Sequence, residues 1–317
     1  MNKIIEAPFN SYFGVFITLA CNFRCAYCVQ KITLPHQAAG QYPFVSGKQW
    51  VAALNAVASR RKKKNLFSTK KKKIAIIGGE PTLHPDFAYI INNLDNDWRI
   101  TVTSNFASLF FEGKRGRLDE IKRKKGLRLN GSYHFLEGMS IDKFMENVLK
   151  TKKAGITVDT LFIVMHPEHK DQASRYREVL LKAGCEVKFQ RFYGYAHGKL
   201  YPVAQANYDK NLEQSDGIRN YPAYREGFGQ GRHAPVYCKM NNVLFAPNGD
   251  VYNCHYKLYT KSEDKFGNLF TDDYINTKSS EYFLCRDYGS CNPCDAEGHQ
   301  FKRLDGSEFN ISQYVEG

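Results

Sequence analysis

The chain has no apolar run approaching the roughly 20 residues that a bilayer-spanning helix needs, which excludes a helical anchor read from hydropathy. Its first twenty residues, MNKIIEAPFNSYFGVFITLA, lack the basic, apolar, small-residue order of a signal peptide, so a cytoplasmic location is expected. Acidic residues are in short supply. The 32 Asp and Glu stand against 45 Lys and Arg, leaving a formal charge of +13 that favours acidic or polyanionic partners and says nothing of fold. No internal repeat is evident. Neither apolar nor charged residues are scarce, at 43% and 24%, so a disordered or fibrous chain is also excluded. With 317 residues there is room for one large α/β domain and an appendage around a substantial core.

Nine cysteines are present, an odd number that favours metal or redox chemistry over disulfides in a chain read as cytosolic. Cys21, Cys25 and Cys28 fall within eight residues, while Cys238, Cys254, Cys285, Cys291 and Cys294 lie in the last quarter. Cys185 stands alone behind a helix-like stretch and reads as a small buried hydrophobe.

Strand-then-helix units fill the first two thirds. Strands are expected at 14–19, 74–77, 99–103, 127–132, 158–165 and 186–192, the short β-branched apolar runs of buried parallel strands. Helices are expected from Ser46 to about Ser59, near 86–94, from Ser140 to about 154, and over 170–183. This alternation predicts an α/β fold, a partial (β/α)6 TIM-like barrel, with chemistry at the C-terminal ends of its strands. From Tyr193 to Tyr237 the sequence is irregular and reads as a lid or binding loop. After Cys238 it turns to short strands, with Pro247-Asn248-Gly249-Asp250 as a hairpin turn between 242–246 and 251–254. The expected division is therefore a barrel domain over 1–235 and a small cysteine-rich domain over 236–317.

The triplet CNFRCAYC directly follows the first expected strand. Three thiolates do not complete a tetrahedral zinc site, but they can hold three irons of a 4Fe–4S cube and leave the fourth open. A zinc site completed by His36 or His84 is the alternative. The spacing C-x3-C-x-aromatic-C, with Tyr27 in the aromatic slot, resembles that of the radical S-adenosylmethionine (radical SAM) enzymes. So does Gly78-Gly79-Glu80-Pro81 behind the second strand. The resemblance implies that Cys21, Cys25 and Cys28 ligate a cluster whose open iron chelates S-adenosylmethionine, and that Gly78, Gly79 and Glu80 hold the methionine ammonium. It implies reductive cleavage to a 5′-deoxyadenosyl radical, which abstracts a substrate hydrogen. Strand-end placement adds Asn105, in Thr103-Ser104-Asn105, with Ser132 and Met165 as candidate cofactor contacts; Gln190, Arg191, His134 and His166 are softer ones.

The spacing C-x10-G-x4-C around the hairpin and the Cys291-x2-Cys294 knuckle suit either zinc or a second iron–sulfur cluster. Together with the triplet they resemble the auxiliary-cluster extension of the same enzymes, in its shorter twitch form and not the full SPASM form. The resemblance implies Cys238, Cys254, Cys291 and Cys294 as ligands of a second 4Fe–4S cluster, with Cys285 either replacing one of them or standing free. A fully ligated auxiliary cluster would accept an electron from a substrate radical, making the protein an oxidoreductase acting on a small molecule or a peptide. With only three ligands it would bind substrate directly. Ribosomal-peptide or RNA modification by the same radical chemistry is an alternative; the short stretch ahead of Cys21 speaks against a leader-binding domain. A zinc-dependent nucleic-acid-binding protein is the reading from another class, though no RNA-binding motif supports it. The basic runs over 60–73 and 114–128 precede strands, opposite the expected site. They read as a solvated face or as a dock for an acidic electron donor such as flavodoxin or ferredoxin.

Overall fold

A computed structural model describes residues 3–7, 11–30, 42–61, 72–112, 116–123, 125–192, 194–196, 199–201, 235–278, 281–288, 291, 295 and 300–309. Cys294, His36, most of the first basic run and most of the irregular stretch expected over 193–237 lie outside the described residues.

Six parallel strands form the heart of the molecule: β2 (Tyr12–Phe16), β3 (Lys72–Ile77), β4 (Trp98–Ser104), β5 (Leu127–Tyr133), β6 (Thr157–Met165) and β7 (Glu186–Arg191). They neighbour one another in chain order, as short right-handed crossovers dictate. Four helices make the connections and cover the sheet: α1 (Gly47–Arg61), α2 (Phe87–Asn93), α3 (Ile141–Lys153) and α4 (Lys170–Leu181). The apolar stripe of α1 is buried as its spacing requires, with Trp50, Val51, Leu54 and Val57 all in the core. Ser140 caps α3 by accepting from the Lys143 amide. This is the expected partial barrel. The first strand alone is displaced, ending at Phe16, so that Ile17–Ala20 form the approach to the cysteine loop.

The sheet is larger than the six expected units. The hairpin over 242–252 is present, but its strands β11 (Asn242–Phe245) and β12 (Val251–Tyr252) join the main sheet instead of standing apart. Strand β11 runs parallel to β2, with Val243 opposite Phe13 and Phe245 opposite Val15, and β12 pairs antiparallel outside it. Short-range alternation reveals a hairpin but not which edge it joins, and β2 supplies an open edge whose pairing groups need a partner. The N-terminal β1 (Ile4–Glu6) pairs with β13 (Tyr274–Asn276) in a separate parallel ribbon, and β8 (Gly194–Ala196) pairs antiparallel with β9 (Lys199–Tyr201). The last cysteines sit on and beside a small antiparallel sheet, ordered β14 (Phe283–Cys285), β10 (Val236–Lys239), β15 (Gln300–Lys302), β16 (Glu308–Phe309).

Candidate active site

The cysteine loop follows β2 at the C-terminal end of the sheet and is locked from beneath by the loop after β3. The Gly79 amide donates to the Thr18 carbonyl at 3.2 Å and the Glu80 amide to the Ala20 carbonyl at 2.8 Å. Gly78 has φ +150°, and a Cβ there would lie 2.1 Å from the Thr18 oxygen; a Cβ on Gly79 would lie 2.1 Å from the Ala20 oxygen. The glycine pair is therefore the condition for this backbone contact.

Glu80 is almost completely buried. Its carboxylate accepts from the Thr82 amide (3.1 Å), the Thr82 hydroxyl (2.5 Å), the Ser104 hydroxyl (2.9 Å) and the Asn105 amide (2.7 Å). Burial pushes this carboxyl up from its ordinary value, and the four donors oppose that. The side chain thus ties β3, β4 and the loop after β4 together. Asn105, held in place by Glu80, donates from Nδ2 to Asn22 Oδ1 at 2.8 Å and reaches Cys21 Sγ at 3.9 Å.

Within the loop, the Phe23 amide donates to Cys21 Sγ at 3.4 Å and the Cys28 amide to the Cys25 carbonyl at 3.1 Å. Cys25 is buried, and Cys21 and Cys28 are half-buried. Desolvation raises the Cys21 and Cys25 thiols above their ordinary value, Cys25 further because Glu137 lies beside it. Glu137, on the turn after β5, also accepts from the Arg24 amide at 3.0 Å. The Tyr27 hydroxyl and His134 Nδ1 share a hydrogen bond at 3.1 Å, and the Tyr27 ring packs against His134, His166 and Phe192. Burial lowers His134 to about 4, so its ring is neutral near pH 7. Ser132 and Met165 are buried near the ends of β5 and β6, and Gln190 is half-buried on β7. The structure therefore sets Gly78, Gly79 and Glu80 against Thr18 and Ala20 just ahead of the triplet, brings Asn105 to Cys21, holds Tyr27 within the cysteine loop, and places Ser132 and Met165 at the same sheet end.

His84 does not serve as a fourth ligand. Its Nε2 bonds to the Val45 carbonyl at 3.0 Å and its Nδ1 accepts from the Asp86 amide at 3.1 Å, so both ring nitrogens are committed. His166, Glu168 and His169 bring donor atoms within 4.8 Å of one another. However, His166 Nδ1 accepts from the Glu168 amide, which leaves the proton of a neutral ring on Nε2 and makes this a capped turn.

The described C-terminal thiols converge. Cys238, Cys254, Cys285 and Cys291 are all buried and line one small cavity. Cys285 thus stands among the assembled thiols and is not remote from them. Burial raises Cys238 and Cys254 well above the ordinary thiol value and raises Cys285 as well. Asp295, fully buried, accepts from the His255 and Tyr256 amides at 2.7 and 3.2 Å and pairs with His255 Nδ1 at 2.7 Å. It fastens the knuckle region to α5 (His255–Thr260), the helix that follows Cys254. All eight described cysteines are free thiols. Both sets suit soft iron–sulfur chemistry: thiols in desolvated positions whose ionised forms need a cation, and at the second set a cavity with thiols on several walls.

Sequence reasoning missed Glu137, Asn22, Asp295 and Lys257. Strand-end logic reaches Glu137, which lies four residues past the end of β5. An acid directly behind Cys294 was the available signal for Asp295.

A sequence model of the Radical SAM superfamily matches residues 15–176. The GTP 3′,8-cyclase of Psychromonas ingrahamii is 28% identical over 151 residues, covering 45% of this chain and 41% of that protein. The GTP 3′,8-cyclase of Shewanella denitrificans is 34% identical over 97 residues, covering 30% and 25%. The chain thus spans less than half the length of these curated relatives. Streptococcus suis SuiB has a similar fold, with a TM-score of 0.53 at 15% identity over 84% of this chain and 64% of that one. The S-adenosylmethionine-bound form of SuiB gives a TM-score of 0.51.

Proposed function

Because the chain belongs to the radical SAM superfamily, whose cofactors are S-adenosylmethionine and a 4Fe–4S cluster, we propose that it is a radical SAM oxidoreductase with a second, auxiliary 4Fe–4S cluster. When bound, the cofactors supply an electron that cleaves the sulfonium C–S bond to methionine and a 5′-deoxyadenosyl radical, which takes a hydrogen atom from a small-molecule or peptide substrate. Cys21, Cys25 and Cys28 would hold the first cluster. Gly78 and Gly79 let the loop after β3 seat the cysteine loop, and Glu80 fixes Asn105 beside Cys21. Tyr27, with the neutral His134 behind it, closes the site against water together with Phe192. Ser132 and Met165 are the remaining candidate contacts for S-adenosylmethionine.

The observation that carries the oxidising reading is the cavity walled by Cys238, Cys254, Cys285 and Cys291, with Cys294 as a fifth thiol in sequence. Four protein thiols saturate a cube, and a saturated cube transfers electrons without binding substrate. The twitch-like unit would comprise 236–317 and the barrel unit 1–235, sharing the main sheet through β11 and β12.

Anaerobically loaded protein should carry about eight irons per chain, two cubes' worth. Replacing Cys21, Cys25 or Cys28 by Ala should abolish 5′-deoxyadenosine formation. Replacing Cys291 should lower iron to about four per chain while 5′-deoxyadenosine still forms. Eight irons retained in the Cys291 variant would take Cys291 out of the ligand set, and about four irons in the parent protein would remove the auxiliary cluster from the account. Cyclisation of a purine nucleotide is a second reading, favoured by the likeness to GTP 3′,8-cyclases. It requires that GTP stimulate S-adenosylmethionine cleavage, and a substrate-independent rate in its presence dismisses it.

A further inference from the structure

Lys257 is a charged side chain placed where charges are rarely found. Its side chain is 5% exposed, against 71% for its partner Asp264. It lines the cavity formed by Cys238, Cys254, Cys285 and Cys291, and among the described lining residues it is the sole cation. Its charge acts on the Cys254 and Cys285 thiols, and its ammonium lies over the Phe283 ring at 5.5 Å. Its backbone amide donates to Cys254 Sγ at 3.4 Å. Burying an ammonium is costly, and pairing it with one surface carboxylate returns only part of that cost. A surface ion pair would have served stability as well without the burial.

We infer that Lys257 sets the reduction potential of the cluster seated at these thiols, raising it so that the cluster works as an electron acceptor. This rests on the auxiliary-cluster reading given above. Adding an electron makes the cluster one unit more negative, and a buried neighbouring cation favours that form. Net local charge and hydrogen bonds to the sulfurs are the protein's levers on such potentials, and Lys257 supplies both, from its ammonium and its backbone N–H. Asp264 lies toward solvent, where screening weakens its opposing charge without abolishing it, while Asp295 and Asp287 on the cavity wall oppose the ammonium, Asp295 with its carboxylate held by His255 and two backbone amides. In turnover the substrate radical, having given its hydrogen atom to the 5′-deoxyadenosyl radical, would lose one electron to the oxidised cluster and one proton to solvent. The electron would then leave to the oxidised form of the external acidic carrier, which is the acceptor that balances the step.

The test measures potential, not turnover. In a background with Cys21, Cys25 and Cys28 all replaced by Ala, the C-terminal cluster is the one remaining, and its midpoint is read by a redox titration followed by electron paramagnetic resonance. Lys257→Met should lower the midpoint by at least a tenfold change in the oxidised-to-reduced ratio, about 59 mV for a one-electron couple. Lys257→Arg should restore it, and Asp264→Asn should move it upward. A structural role would alter iron content without giving opposite shifts in the Lys257 and Asp264 variants. An unchanged midpoint in a fully loaded Lys257→Met protein overturns the inference and leaves the auxiliary cluster standing. If Lys257→Met takes up no iron, Asp264→Asn decides: a rise supports the inference and no shift overturns it. If the triple-Ala background itself holds no cluster, the auxiliary-cluster reading fails and the inference falls with it.

Discussion

Gly79 and Glu80 do different work although they are adjacent. Gly79 has no side chain because the Ala20 carbonyl occupies the place of one, and Glu80 has a charged side chain because four donors from three residues converge on it. Gly79→Ala forces backbone against backbone, with no flexible group to give way. It should cost about 2 kcal/mol of apoprotein stability, the middle of the range for ordinary overpacking. It should also prevent iron uptake at the triplet while sparing the C-terminal thiols. Urea unfolding of the apoprotein and iron per chain check both halves; full loading in a stable Gly79→Ala protein would show that the contact is dispensable. His134 offers a pH test. Its folded value is lowered to about 4 by burial, whereas an unfolded histidine titrates near 6.5. Above about 6.5 both states are neutral and the group contributes no slope. Between about 6.5 and 4 the unfolded chain binds the extra proton, so stability falls as pH falls through that window. Apoprotein unfolding from pH 4 to 6.5 should therefore be flatter in His134→Gln than in the parent, and an identical slope would refute the assignment.

At the scale of elements, the barrel strands and their helices were legible because each carries its own signal: β-branched runs whose ends fall within two residues of the observed ones in every barrel strand but the first, a capping Ser140, an apolar stripe on α1. The glycine pair and the cysteine triplet were legible because their spacing is local. What short-range pattern could not supply was partnership across the chain. Nothing within 242–252 announces that β11 lies beside β2, more than 220 residues away in sequence, or that β1 pairs with β13. The same limit hid Asn22 and Lys257, whose roles come from what they meet. The β11–β2 contact is open to test because the chain's two tryptophans, Trp50 and Trp98, both lie in the N-terminal half and report on the barrel. Phe245 on β11 is buried and stacks on Phe13 of β2, with ring centroids 6.1 Å apart. Phe245→Ala should cost about 3–5 kcal/mol and lower the tryptophan-monitored unfolding midpoint. A midpoint that stays put while the C-terminal region loosens would mean that the hairpin unfolds separately from the barrel.

The whole molecule brings its two thiol sets to a common body. Phe16, at the end of β2 and ahead of the triplet, packs edge-on against His255, the residue after Cys254, and against Tyr259 of the same helix. Leu19, Leu244, Tyr252 and Leu258 complete that apolar layer. Electrons must still enter from outside; no helix among the described residues is long and apolar enough to cross a membrane. A formal charge of +13 gives the surface an attraction for acidic proteins at distances set by the Debye length. We propose that the donor is an acidic carrier of the flavodoxin or ferredoxin kind, with Lys73 and Arg99, exposed at the starts of β3 and β4, on the side facing away from the cysteine loop. Steered association weakens with salt, whereas a small chemical reductant needs no steering. The rate of 5′-deoxyadenosine formation driven by flavodoxin should therefore fall several-fold when ionic strength rises from about 0.05 to 0.5 M. The dithionite-driven rate should stay nearly level over the same range. Equal salt dependence for the two reductants would place the effect in the enzyme's own chemistry and remove charge from the account of how it is reduced.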